Sequence, residues 1–479
     1  MPLSPATPSR RPRAGWTFAI VSIALFMVTL DNLVVTTALP TIRVDLGASL
    51  ESLEWTVNAY TLAFAVLLLT GAALGDRFGR RHMFGLGVGL FTASSAVAAL
   101  APSTGVLVAA RAAQGVGAAI VLPLTLTLLS AAVPVEKRGL ALGAWSGISG
   151  LGVALGPVVG GAVVDGISWH WIFWLNVPIG LALVPLSARF LSESRGPASR
   201  LDLPGIALAG AGLLGVVYGI VRGEALGWTS ATIVGSIAAG LALLVAFVAW
   251  EHRAPAPMLP LRFFRSRAFS ATNGTSLAMF FGVFGSIFLL SQFFQTTQGL
   301  SPLQSGLRVL PWTIMPMFVA PVAGILSDRI GARPLMASGL ALQAIAIGWL
   351  SAVTTPDVAY ASLLAPFVLA GTGMALVFAP AANAVLGSVK PEEAGQASGA
   401  TNAIRELGGV LGVAVLASVF TAKGGYGSPQ QYVDGMTAAL PIGAAVLGVG
   451  AVLALFIPGK ARADVAVDAP PALAVDAAA

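Results

Sequence analysis

Cysteine is absent from this chain, which excludes a disulfide framework and any thiolate metal site. Histidine is nearly absent. His82, His170 and His252 stand far apart and none lies at ligand spacing from another, so no metal is expected. Charge is the third shortage: Asp, Glu, Lys and Arg make up 10% of the 479 residues, against about 25% in soluble domains. With 56% hydrophobic residues and a mean hydropathy of +0.86, the chain lacks the polar surface of a soluble globule or a disordered segment. It belongs in lipid. The net charge of +6 is scattered over many short loops and builds no patch for nucleic acid. No nucleophile–base pair and no metal set appears, so neither an enzyme nor a cofactor is expected.

What is present is long and apolar. A bilayer core about 30 Å thick needs roughly 20 apolar residues per helix. By that measure fourteen spans lie between residues 16 and 457. The run from Trp16 to Leu39 follows Arg10, Arg11 and Arg13, but it is too long for the apolar core of a signal peptide and reads as a retained first span. With the N-terminus in the cytoplasm, 20 of the 26 Lys and Arg fall on the cytoplasmic side. Only Arg43, Arg222, Arg308 and Lys423 fall outside, and Arg111 and Arg405 lie within spans. This bias predicts a cell-membrane protein with both termini cytoplasmic.

A repeat organises the spans. The turn G-D-R-F-G-R-R at Gly75 to Arg81 returns 252 residues later as S-D-R-I-G-A-R at Ser327 to Arg333. The same offset carries Gly156 to Gly408 and Gly160 to Gly412. The pattern predicts an all-α integral membrane protein built from two six-helix bundles, 16–200 and 269–457, with two additional spans in 201–250. Segment 251–268 reads as a Pro-rich cytoplasmic linker. Residues 1–15 form a cytoplasmic N-terminal segment, and 458–479, rich in Ala, Val and Pro, a disordered tail.

Several intramembrane groups carry chemistry. Asp31 lies in the middle of an apolar span, where a charged acid costs roughly 2.5–3.5 kcal/mol on insertion scales. Such an acid points to proton coupling. Arg111 is its expected partner, with Gln114 on the same helix face. Protonation of Asp31 would break the pair and give the helices a reason to move; a static buried ion pair is the alternative. Asn402, Arg405 and Glu406 place a second charged group deep in span thirteen, either as a substrate-cavity or second proton site or as an arginine pair. Asn58, Gln114, Gln292 and Gln295 are further polar candidates for the cavity wall. Gly152, Gly156 and Gly160 form a close-packing stripe that, with Gly161 and the helix-bending Pro157, suits a hinge and leak seal. The repeated turns, Gly75, Asp76, Arg77, Gly79 and Arg80 with Asp328 and Arg329, suit a conformational gate in which arginines reach acids or carbonyl ends of the opposite half; plain cytoplasmic loop charge is the alternative reading. Trp169, Trp171, Phe173 and Trp174 read as interfacial anchors.

Together these residues resemble the major facilitator superfamily and, within it, the fourteen-span drug:proton antiporter family. The family's loop signature matches Gly75, Asp76, Arg77, Gly79 and Arg80. Its first-span motif matches Leu30, Asp31, Ala38, Leu39 and Pro40; its fourth-span motif, Arg111, Gln114, Gly115 and Gly117; its antiporter motif, Gly152, Gly156, Pro157, Gly160 and Gly161. The chain departs from the pattern at Asn32, where Thr is usual, at His170, where Arg is usual, and at Glu406, where Gln is common. The resemblance implies a monomer embedded in the lipid bilayer that exchanges protons for an amphipathic organic substrate, such as an antibiotic, dye or antiseptic, by alternating access. A proton-linked importer or facilitator of a small metabolite on the same fold is the alternative.

Overall fold

The computed structural model describes residues 14–195, 201–390 and 393–459. The N-terminal segment before Ala14 and the tail from Lys460 lie outside that range, as does the side chain of Asp328. Within it, fifteen α-helices and one short 3-10 turn make up the chain, with no strand among the described residues. Thirteen helical segments are long and apolar enough to cross a membrane. One of these, Trp171–Phe190, joins α6 (Trp171–Trp174) to α7 (Asn176–Phe190) through Leu175. The fourteenth crossing is α5 (Val135–Gly166), a 32-residue helix whose second half is a shorter apolar segment.

The helices run past the predicted spans because backbone hydrogen bonding does not stop where hydropathy does. Helix α1 (Ala14–Leu46) continues six residues beyond Pro40. Helix α2 (Leu50–Phe78) begins at the Ser49 cap, which accepts from Ser52 N–H. Helix α11 (Pro302–Ile330) starts with a full capping box between Ser301 and Gln304. The repeated turns are true structural copies. Gly79 joins α2 to α3 (Arg80–Ala99) at φ 107°, and Gly331 joins α11 to α12 (Ala332–Val353) at φ 87°. Both lie in the left-handed region that residues with a Cβ avoid, so glycine recurs at this one point of the turn.

Helices α1 to α7, with α4 spanning Thr104–Ala132, pack into one bundle, and α10 (Arg267–Thr296), α13 (Tyr360–Leu386), α14 (Ala394–Lys423) and α15 (Pro429–Ala454) join α11 and α12 in the other. Between them in sequence, α8 (Leu203–Leu226) and α9 (Ala231–Glu251) pack on each other, and α8 lies against α2 and α14. The apolar window of α9 is 17% buried and that of α10 is 89% buried. The inserted pair therefore faces lipid, while α10 is a central helix.

The segment after α9 is more than a tether. It contains the 3-10 turn Leu261–Arg265, is tied back by Glu251 accepting from Leu259 N–H at 3.0 Å, and meets the second bundle through an Arg262–Glu393 ion pair at 2.7 Å.

Candidate functional site

The two bundles enclose a cavity of about 1620 Å³. At the face carrying the arginine-rich turns it reaches Asp76, Arg80 and Arg262; midway through the molecule it ends among Asn32, Phe280 and Glu406. Its inner wall is mainly apolar and aromatic, including Tyr60, Phe64, Phe284 and Phe378.

The opposite face is sealed. Gln295 donates to the Thr37 carbonyl at 2.8 Å, and Ser291 to the Thr36 carbonyl at 3.3 Å, joining α10 to α1. Helix α5 meets α11 so closely that a Cβ on Gly161 would strike the Pro302 backbone, and one on Gly306 the Pro157 backbone. Gly152, Gly156 and Gly160 face α1 instead, against Thr29, Leu33 and Val34. The glycine–proline motif thus packs its own bundle with one face and closes the interbundle seam with the other. Further out, Arg43 lies 3.7 Å over the ring of Tyr426, whose hydroxyl donates to Gln292 at 2.5 Å. Burial pushes the Tyr426 phenol above its ordinary range, which keeps it a donor.

Asp31 and Arg111 meet in the first bundle. Arg111 Nη1 donates to Asp31 Oδ2 at 2.5 Å, and both residues are 1% exposed. Asn176 and Gln114 donate to Asp31 Oδ1 at 2.8 and 3.3 Å, and Arg111 Nε donates to the Thr56 carbonyl at 3.2 Å. Ser95 accepts from Gln114 at 2.7 Å. Both Asp31 oxygens and Arg111 Nε and Nη1 have partners, which is what a buried ion pair needs to offset its desolvation. Arg111 lies seven residues into α4, roughly 10 Å along the helix, so the cluster sits nearer the sealed face. It does not line the cavity. The Tyr60 ring, 4.2 Å from the Arg111 guanidinium, stands on the cavity wall, as does Asn32 beside Asp31.

Asn402, Arg405 and Glu406 all lie on the cavity wall, on α14. No salt bridge among the described residues involves Arg405 or Glu406. Arg405 Nε and Nη2 and Glu406 Oε2 are buried without a hydrogen-bond partner. The Arg405 guanidinium sits 5.5 Å from the Phe378 ring centre and 6.0 Å from that of Phe280. Asn32 of α1 lies close to Glu406 across the bundle interface, on the same cavity wall. Two of the three departures from the family pattern therefore meet in space.

Other expected cavity residues lie elsewhere. Asn58 is fully buried off the cavity, its amide unpartnered. Gln114 belongs to the Asp31 cluster, and Gln292 and Gln295 to the far seal. In each case the chain pattern marks a polar group inside a span, but the face it presents depends on which helix packs there. Among the described residues, the repeated turn makes no ion pair across the bundles in this conformation. Asp76 binds Arg80 of its own turn at 2.8 Å, and Glu193 accepts from the backbone N–H of Arg81 and His82. Arg77 stacks near Phe78, and Arg329 closes the last turn of α11. Trp169 and Phe173 are buried rather than interfacial, Trp169 donating to Asp45 at 2.7 Å.

Sequence reasoning missed Ser95, Asn176 and Glu54. Asn176 ends the aromatic stretch W-H-W-I-F-W-L-N that begins at Trp169, but nothing in that stretch aims it at Asp31. Glu54 is 2% exposed inside α2, with Oε2 unpartnered.

A cavity between two six-helix bundles, open at one face and sealed at the other, with charged groups at mid-depth, defines a membrane transporter. Residues 21–413 match the Major Facilitator Superfamily, and the chain belongs to it. It is 38% identical over 411 residues to the multidrug resistance protein Stp of Mycobacterium tuberculosis, covering 85% of this chain and 76% of that one. It is also 38% identical to the cephamycin export protein CmcT of Amycolatopsis lactamdurans, covering 88% of each. The fold is similar to that of a bacterial homologue of the lysosomal transporter Spinster, with a TM-score of 0.66 at 16% identity over 94% of this chain and 97% of that one.

Proposed function

We propose that this chain is a proton-driven exporter of amphipathic organic compounds, antibiotics among them, working by alternating access in the cell membrane. The observation that carries the reading is the Asp31–Arg111 pair, fully buried yet one residue from Asn32 and one ring from the cavity. A proton on Asp31 removes the charge that holds Arg111, and the released guanidinium can transmit the change through Tyr60 and Asn32 to the cavity wall. Relatives named for multidrug resistance and antibiotic export support the direction of transport.

In this reading the basic face is cytoplasmic, both termini lie inside, and the cavity is in its cytoplasm-open state. The α5–α11 seam is the extracellular seal that must part to release substrate, with Gly152 to Gly161 as its hinge. The repeated turns are then separated latches, which engage across the bundles only when the cytoplasmic side closes. The protein works as a monomer and carries out no covalent chemistry.

The test is substrate accumulation in everted vesicles under an imposed proton gradient. Wild-type protein accumulates substrate and releases vesicle protons, while Asp31→Asn does neither. Gradient-coupled transport by Asp31→Asn at the wild-type rate would remove the proton role.

A further inference from the structure

The inner part of the cavity contains an arginine and a glutamate, and no salt bridge among the described residues involves either. Arg405 and Glu406 are consecutive on α14, so their side chains leave the helix about 100° apart and do not share a salt bridge. Nearer the mouth, Asp76 pairs with Arg80 and Arg262 with Glu393; Asp202 Oδ2 and Glu251 Oε1, also on the wall, lack a partner but belong to two acids, groups of one sign. The inner pair offers both signs. Three of its polar atoms, Arg405 Nε and Nη2 and Glu406 Oε2, lie buried without a protein partner. A buried guanidinium stays charged and keeps its N–H donors directed, and an unmet charged group costs more than a neutral one. Rings line the wall beside these atoms: Phe280 and Phe378 flank Arg405, and Tyr60 and Phe284 continue the wall.

Resting on the export reading, we infer that the preferred cargo is an amphoteric amphipath: an aromatic or apolar body bearing both an acidic group, received by Arg405, and a protonated amine, received by Glu406. Each half of the charge pattern excludes a simpler ligand. A purely cationic compound would satisfy Glu406 but set a second cation beside Arg405. A purely anionic one would satisfy Arg405 and be repelled by Glu406. A ligand carrying both charges supplies each side chain with its missing partner and leaves the net charge of the chamber unchanged. Asn32 of the other bundle lies beside Glu406 on the same wall, so the site is built from both halves.

The test uses one fluorescent scaffold with its charges removed in turn: Nε-dansyl-lysine, its α-carboxamide, its α-N-acetyl derivative, and the doubly blocked neutral compound. Binding to the purified full chain is read from dansyl emission, and gradient-driven accumulation from everted vesicles. Dansyl-lysine should bind about tenfold or more tightly than any of the other three, the margin expected of charge-assisted hydrogen bonds. Arg405→Gln should collapse the ratio between dansyl-lysine and its carboxamide towards one, while Arg405→Lys restores part of it. Glu406→Gln should collapse the ratio between dansyl-lysine and its N-acetyl derivative. Gel filtration of each variant confirms that the fold is kept. Equal binding of the carboxamide and the parent by wild-type protein overturns the inference, as do ratios that do not respond to either variant, or no binding of any probe. Selective binding without gradient-driven accumulation would instead sink the export reading and leave the site assignment standing; accumulation without selectivity would do the reverse.

Discussion

The two intramembrane charge sites of this protein are built on opposite principles. Asp31 and Arg111 sit in a polar shell, with Asn176, Gln114 and the Thr56 carbonyl as partners and Ser95 behind the two amides, and the Tyr60 ring lies between Arg111 and the cavity. Arg405 and Glu406 sit on the cavity wall with unmet polar atoms. The two do not occupy equivalent places in the repeat: the residue 252 positions on from Asp31 is Val283, and those 252 positions before Arg405 and Glu406 are Val153 and Ala154. The duplication supplied one scaffold twice, and the charges were distributed over it unequally. On the proposed reading, the partnered site does the coupling and the site with unmet atoms does the recognition.

The sharpest way to break that division is at Asp31. Asp31→Asn should abolish gradient-coupled efflux and also lower stability by about 3–5 kcal/mol, because it leaves Arg111 buried and unpaired. Adding Arg111→Gln should recover much of the melting temperature and none of the coupling. If the double variant regained coupled transport, the pair would be structural only. At the other site, Glu406→Gln should cost substrate affinity about ten- to 100-fold, the worth of a hydrogen bond to a charged group, with little change in melting temperature, since Oε2 has no protein partner to lose. A large drop in stability with unchanged affinity would erase the contrast between the sites.

The seal gives a third, smaller effect. Gly161→Leu should prop α5 away from α11 and raise the outward-open population, seen as faster labelling of a reporter Ser301→Cys from the extracellular side. The native chain has no cysteine, so the reporter has no background. Unchanged labelling would mean that the seam is not what closes this face. The smallest change is expected for Gln295→Ala. Loss of its hydrogen bond to the Thr37 carbonyl removes about 1 kcal/mol from the closed face and shifts the same labelling rate about fivefold.

Much of the fold was legible beforehand. The number of crossings, the orientation bias, the duplicated turn and the position of the inserted pair follow from hydropathy, loop charge and a repeat offset, all of which are local or one-dimensional. Pairing of Asp31 with Arg111 was legible too, because two opposite charges within a few spans of lipid have few other partners to choose. The shell around them was not. Ser95 and Asn176 are ordinary small polar residues in sequence, and their role exists only because α3 and α7 bring them within reach of the same carboxylate.

The amino-acid sequence by itself determined that this chain lives in lipid, crosses it in two related sets of helices, and carries acids and arginines at depth. Each of these is decided by the cost of exposing polar groups to hydrocarbon, which depends on composition and spacing alone. Only the tertiary structure decided which of those charges is enclosed and which is offered to a ligand. That choice rests on which helix faces meet across the bundles: Tyr60 over Arg111, Gly161 on Pro302, and Asn32 beside Glu406. The last contact joins two departures from the family pattern that lie 374 residues apart in the chain, and no periodicity links them.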